Sequence, residues 1–398
     1  MKSLICRLIQ ATLIISLSIS CSDDAEEVSP ENRFIRVYND ADFSATFYAL
    51  DIKQTADNGY LILGQTRISE SDFGATYILK TDVEGNVVWD YKGDDSVINP
   101  TPSLMEIGGK YYFMAGFNAV LMQIDLTSES VYPAKSLAGT TYPLHASATP
   151  DGGVIALSYN QENNSTIFTK LSSGTFAVSW QSEFIVLEEE PEEIILDHLI
   201  NTEKRLPFFT GSLEEGGYFF NGLTNVTLSL LFIDPSGNQM GLMNGYQMDG
   251  AVSSIAHIQG SQFAVSRFTF GTNYLLPSVE ININEISNSE ELDGNISSEL
   301  AYNADVRIIK KTVNEKNVII YAANTKSNQV VLYAYDAETG ELLGSHHLGF
   351  SEGFEVASLI DTDDEGLAVL CTTNMAGRFS RISLFKISKG DVATLCGE

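Results

Sequence analysis

The sequence predicts an all-β chain, a ring of seven four-stranded antiparallel blades, on three observations. The first is a unit. Residues 46–93 hold four short apolar runs, YALDI, YLILG, YILKT and VVWDY, separated by the turn-forming stretches ADNG, SESDFG and DVEGN. Short strands joined by tight turns make an up-and-down sheet. The second observation is repetition of the second strand: YLILG (60–64), YYFMAG (111–116), VIALS (154–158), PFFTG (207–211), QFAVS (262–266), VIIYAA (318–323) and LAVLCTT (367–373). These runs do not alternate apolar with polar, so both faces of each strand are expected to be covered. Blades packed face to face around a β-propeller cover their middle strands in this way. A lipocalin-type barrel would leave half of each strand facing solvent or a lumen. The third observation is a mark where each third strand enters its turn: Asp82, Asp125, Asp234 and Asp336, with Ser172, Ser287 and Ser388 in the other copies. Asp there accepts bonds from backbone N–H groups two residues on, and a nearby Gly supplies positive φ. The marks recur every 43 to 62 residues. A blade repeat takes roughly 40–50 residues, so seven blades are expected.

DVEGNVVWDYKG and DAETGELLGSHHLG resemble the strand-turn-strand signature of quinoprotein-type (PQQ-like) propeller repeats. TADNGYLILGQT followed by TYILKTDVEGNVVW is similar to the repeats of bacterial secreted and surface propellers. The likeness spans most of the chain after the leader and is sharpest in the first and sixth copies. It implies a fold. It implies no quinone, because the repeated docking Trp of that family is reduced here to Trp89 and Trp180. No cofactor is expected.

Taken in order, residues 1–20 read as a signal peptide. Lys2 and Arg7 give a positive start, and LIQATLIISLSIS supplies about 13 mostly apolar residues, too short to span a bilayer as a helix. Ser20 directly before Cys21 resembles the end of a bacterial lipoprotein signal. The resemblance implies cleavage there and acylation of Cys21, and several acyl chains anchor a protein for practical purposes permanently. Ile19 departs from the commonest Gly or Ala, and an ordinary secretory signal with a chance Cys is the alternative. Residues 21–32 are polar and acidic, expected as a disordered tether. An acidic run after the lipidated Cys resembles the surface-export signal of Bacteroidota lipoproteins. That implies an outer-membrane protein facing the exterior; a plain solvated spacer is the other reading.

Residues 33–398 are expected to form one propeller domain. FIRVY (34–38) resembles a fourth strand, whereas the last copy shows three clear strands. The N-terminal strand should therefore complete the last blade and close the ring, removing an open edge. The alternative makes VATLC (392–396) that blade's own fourth strand. The EEEPEE block around Pro191 is expected as a solvated loop.

Without Lys2 and Arg7 the chain carries 21 basic against 52 acidic residues, a formal charge of −31. This excludes nucleic acid as a partner, since its binding needs basic patches. It also leaves the lipid as the sole membrane contact. Cys371 and Cys396 remain after Cys6 and Cys21 are assigned. In an oxidising compartment they form a possible disulfide, with a buried core thiol at Cys371 as the alternative.

No P-loop, HExxH, CxxC or GxSxG in its proper context is present. DTDDEG (361–366) is read as a hairpin turn, not a calcium loop, and no metal site is expected. No catalytic residue is assigned. Aligned hairpins place Asp51, His145, Asp197 and His198 at similar heights on innermost strands, with Ser358 alongside and His257 further on. Those strands line the central channel, so acid–base groups could converge there, though local hydrogen bonding is the plainer reading. Loop aromatics such as Phe73, Phe117 and Tyr274 are candidates to stack on sugars. The expected function is a surface binding or scaffold module for a glycan or an envelope protein. The alternative is a polysaccharide hydrolase or lyase working at the channel.

Overall fold

The computed structural model describes residues 32–38, 45–67, 72–94, 96–201, 205–214, 216–350, 353–374 and 379–398. The signal segment, Cys21 and the tether up to residue 31 lie outside the described residues. Residues Arg33–Glu398 form one compact unit.

Within that unit the strands form seven sheets, each built on consecutive antiparallel strands; one sheet also takes up the first strand of the chain, and another a fifth, parallel strand. In blade 1 the order outward from the axis is β2 (Phe47–Gln54), β3 (Tyr60–Arg67), β4 (Gly74–Thr81) and β5 (Val87–Lys92). The first strand, β1 (Phe34–Tyr38), pairs with Arg381–Ile387, the third strand of blade 7, with Phe34 opposite Lys386 and Tyr38 opposite Ile382. The two ends of the chain thus share one sheet and close the ring, a seven-bladed β-propeller.

The unbroken apolar runs make sense in this ring. Successive side chains on a strand point to opposite faces. Tyr60 and Ile62 pack against Ala368, Leu370, Ile382 and Leu384 of blade 7. Leu61 and Leu63 face the other way, onto Leu104, Tyr111, Phe113 and Met122 of blade 2. The same division recurs between every pair of neighbours, giving seven clusters for seven interfaces. Each fully buried Leu or Ile contributes roughly 1.5–3 kcal/mol relative to exposure.

A second repeat lies beneath the hairpins. In blades 1, 3 and 7 the first turn reads Thr-x-Asp-x-Gly: Thr55-Asp57-Gly59, Thr149-Asp151-Gly153 and Thr362-Asp364-Gly366. In each, the Asp accepts from the Thr hydroxyl and from the Gly N–H. A buried lysine from the third strand rises to the same carboxylate: Lys80 to Asp57, Lys170 to Asp151 and Lys386 to Asp364, at 2.9, 2.8 and 2.9 Å. The Asp gathers the turn and the Lys ties it to the middle of the sheet. Burial alone would raise Asp57, but Thr55, Lys80 and the Gly59 N–H outweigh it and hold the carboxyl at about 2. Lys170 and Thr149 hold Asp151 at about 2 as well. DTDDEG is the blade 7 copy of this turn.

The turn marks behave as read at Asp82, Asp125, Asp234 and Asp336, each accepting backbone N–H groups two to four residues on. Blades 4 and 5 differ from the sequence reading. EEEPEE opens not a loop but helix α1 (Pro191–Ile200), with Pro at its start and Glu192 and Glu193 in the first turn. Both features favour a helix N-terminus. The inner strand of blade 4 is Phe209–Ser212, so PFFTG contributes to the first strand; the second is Tyr218–Thr224. In blade 5 the third strand is Thr272–Glu280. Ser287 instead lies in Ile286–Asn288, which pairs parallel with Gln239–Asn244 and gives blade 4 a fifth strand.

VATLC is no strand either. It belongs to helix α2 (Lys389–Leu395) and the Cys396 that follows, with Ser388 and Asp391 forming a reciprocal capping box. Cys371 and Cys396 are both free, buried thiols, the alternative to the possible disulfide. Each is buried in the apolar cluster between blades 6 and 7, where desolvation pushes its pKa up. Apolar packing, not a bond, holds the C-terminus.

Candidate functional site

The two faces of the ring are chemically different. One carries the first hairpins and the Asp-marked turns, both short and polar. The other carries the connectors from one blade to the next and the turns between second and third strands. Among the described residues six aromatic side chains are prominently exposed: Phe117, Tyr132, Tyr246, Phe270, Tyr302 and Phe350. All but Tyr132, which lies on an outer strand, sit on the connector face.

They form patches. Phe73 and Phe117 meet edge to face at 4.8 Å, and Phe117 reaches Tyr142 at 5.8 Å. Glu192 of α1 accepts the Tyr142 hydroxyl at 3.0 Å, fixing that ring. Tyr246 and Phe270 lie 5.4 Å apart. Tyr302 covers Gly271, where a Cβ would fall 2.1 Å from the ring. Tyr274 is not part of a platform: the Arg267 guanidinium covers it at 3.8 Å.

At the axis of the same face is a cavity of about 240 Å³. Its wall comes from inner strands, from residues 99–102, and from the blade 3–4 connector. Asp51, His145, His198 and Ser358 all line it. Asp197 does not. His198 arrives from α1 and not from an inner strand, and Asp197 turns off to another side of that helix. His257 lies away from the cavity, bonded to the Gly260 carbonyl at 2.8 Å.

Convergence does not make every group available. Asp51 Oδ1 accepts from Ser358 Oγ and from the Ile52 N–H, both at 2.8 Å. Its Oδ2 accepts from the Leu104 N–H at 2.9 Å. Asp51 therefore ties blades 7, 1 and 2 together, and Ser358 is spent on it. His145 Nδ1 meets Thr210 Oγ1 at 3.1 Å, joining blades 3 and 4. His198 Nδ1 accepts the Leu206 N–H at 2.9 Å, so its proton sits on Nε2. Burial, with Arg307 nearby, pushes His145 down to about 3. Burial and Arg205 do the same to His198. Both rings are neutral at physiological pH.

The sequence reading missed two arginines that line this cavity, Arg205 and Arg307. Arg307 Nε donates to the Ala357 carbonyl at 2.7 Å and Nη1 to the Val306 carbonyl at 3.0 Å. Arg205 makes no hydrogen bond or ion pair among the described residues; burial lowers its pKa, and Asp305 and Glu355 pull the other way. Arg205 has no repeat-based signal, because it lies in an insertion; Arg307 stands on the inner strand of blade 6, Val306–Val313, within the repeat itself. No group of three or more metal-binding side chains gathers among the described residues.

No protein-family description and no curated protein matches the chain. Solved structures do. Hydrazine synthase of Kuenenia stuttgartiensis aligns with a TM-score of 0.51 at 11% identity, over 82% of this chain and 92% of that one. The β-propeller domain of the trilobed protease from Pyrococcus furiosus aligns at 0.48 and 10% identity, over 86% and 95%. Quinohemoprotein alcohol dehydrogenase from Comamonas testosteroni aligns at 0.46 and 10% identity, over 87% and 75%. At such identities the likeness is one of fold and carries no activity.

Proposed function

We propose that this propeller is a binding module of the cell surface, anchored by lipid on Cys21, that takes a glycan on its connector face. The observation that carries the reading is the one-sided placement of exposed aromatics around an axial cavity. Aromatic faces stack on sugar rings, and a rigid ring holds variable loops on one rim. The acidic run after Cys21 supports display on the outer leaflet of a Bacteroidota-type envelope. A glycan array probed with the purified chain tests the binding. Binding that falls at least tenfold in both Phe117→Ala and Phe270→Ala supports the reading. Unchanged binding in both variants refutes it. Labelling with an alkyne fatty acid should mark the wild type and not Cys21→Ser.

The convergence of His145 and His198 on the cavity favours a second reading, a polysaccharide hydrolase or lyase. Asp51 is a poor base for it, since both its oxygens are occupied. New reducing ends, or unsaturated sugar absorbance, from a bound polysaccharide would establish this reading; an intact polysaccharide after prolonged incubation would dismiss it.

A further inference from the structure

Three donor side chains line the axial cavity: Arg205, Arg307 and His198. Arg205 presents a guanidinium with no hydrogen bond or ion pair among the described residues, although Asp305 and Glu355 act on its charge without touching it. Arg307 uses Nε and Nη1 on backbone carbonyls and keeps Nη2. His198 accepts at Nδ1 and so keeps a proton on Nε2. On the acceptor side, Asp51 is filled by Ser358, Ile52 and Leu104. The other two acids, Asp305 and Glu355, are exposed at the mouth. A half-buried guanidinium without a partner is costly, and proteins ordinarily pair such a charge. A guanidinium also presents a planar fork that matches a carboxylate in two parallel bonds.

We propose that this cavity is a carboxylate-binding subsite, in which Arg205, helped by Arg307 Nη2 and His198 Nε2, holds the acid group of a uronate residue. The inference rests on the glycan reading above and names its substrate class: an acidic polysaccharide, with one uronate in the cavity and neighbouring sugars on the aromatic rim. The size agrees. About 240 Å³ is below the roughly 300–1,000 Å³ of a drug-sized pocket and suits a single sugar ring.

Titration calorimetry on the full-length chain would test this with three probes: an oligogalacturonate, its methyl ester, and a short peptide with a free C-terminal carboxylate. The subsite predicts that the oligogalacturonate binds at least tenfold more tightly than the ester. It also predicts that Arg205→Gln removes that difference by lowering the affinity for the acid. Arg205 holds no structural bond, so the variant should fold; an unaltered melting curve checks that, and Arg205→Lys should recover part of the affinity. Equal affinity for acid and ester, or an Arg205→Gln variant indistinguishable from wild type, overturns the subsite. Preference for the peptide over both sugars overturns the uronate assignment. The two proposals fail separately. Ester binding that is lost in Phe117→Ala but blind to the carboxylate leaves the glycan rim standing without the subsite. Uronate binding that needs Arg205 and ignores Phe117 leaves the subsite without the rim.

Discussion

Lys386 and Asp364 offer an unequal pair for mutation. The Lys386 side chain is 0% exposed, and the Asp364 side chain is 38% exposed. The ammonium makes three bonds, to Asp364 Oδ1 and Oδ2 at 2.9 Å each and to the Ile387 carbonyl at 3.0 Å. Asp364→Ala strips away the two bonds to the countercharge and leaves a buried cation with one carbonyl. Breaking a buried pair from one side costs roughly 3–5 kcal/mol; with Asp364 partly exposed, water replaces some of what is lost, and about 3 kcal/mol is expected. Lys386→Met leaves the carboxylate with the Thr362 hydroxyl at 2.6 Å, the Gly366 N–H at 3.2 Å, and solvent. The new side chain also fills the lysine's apolar path. That change should cost about 1 kcal/mol or less. Unfolding entropy near 2.1 cal/mol/K per residue gives about 0.8 kcal/mol/K for a unit this size, so Asp364→Ala should melt about 4 °C lower and Lys386→Met about 1 °C lower. Calorimetric melts and urea titrations of both variants and the double mutant measure this. Equal losses, or a larger loss from the lysine change, would refute the reading of the turn as a cap for a buried charge.

Other outcomes follow from the same geometry. Deleting residues 30–40 removes the strand that closes blade 7, so the cooperative urea transition should broaden or vanish; an unchanged transition would contradict closure. His198 is neutral in the fold with a pKa of about 3 against an ordinary value near 6.5, so its contribution is complete above pH 6.5 and is lost as pH falls toward 3. By pH 5 that is a loss of about 2 kcal/mol, which His198→Gln should lack. Asp57 and Asp151, held at about 2, add stability above pH 4 that disappears as pH falls through 2, so Asp57→Asn with Asp151→Asn should flatten the acid limb. Cys371 and Cys396 should resist a thiol reagent until the protein unfolds, and the intact mass should not change with reductant.

The ring was legible because its signal is physical and repeated. Tyr60-Leu61-Ile62-Leu63 must be apolar throughout, since alternate residues face different neighbours. The closing strand was legible for a related reason: three strands at one end and a lone FIRVY at the other fit one sheet. Blade 4 was misread where a helix interrupts the period. Its inner strand, Phe209–Ser212, is only four residues long, and the apolar part of α1 took its place in the alignment. His198 reached the right cavity by that error, because helix and strand approach the same axis. Spacing located Asp51 and Ser358, but it did not show that they bond each other across the ring. Arg205 gave no warning, since an insertion has no counterpart in other blades. The lysine–aspartate turn was visible as Thr-x-Asp-x-Gly with a Lys on the third strand, yet its meaning needed the fold.

The most direct test of the account is a crystal soaked with an oligosaccharide containing one uronate between neutral sugars. The account predicts density on the connector face, with the acid group within hydrogen-bonding distance of Arg205 and a sugar ring lying on Phe117 or Phe270. Density on the opposite face, among the Asp-marked turns, or density in the cavity with its acid group turned away from Arg205, would contradict it.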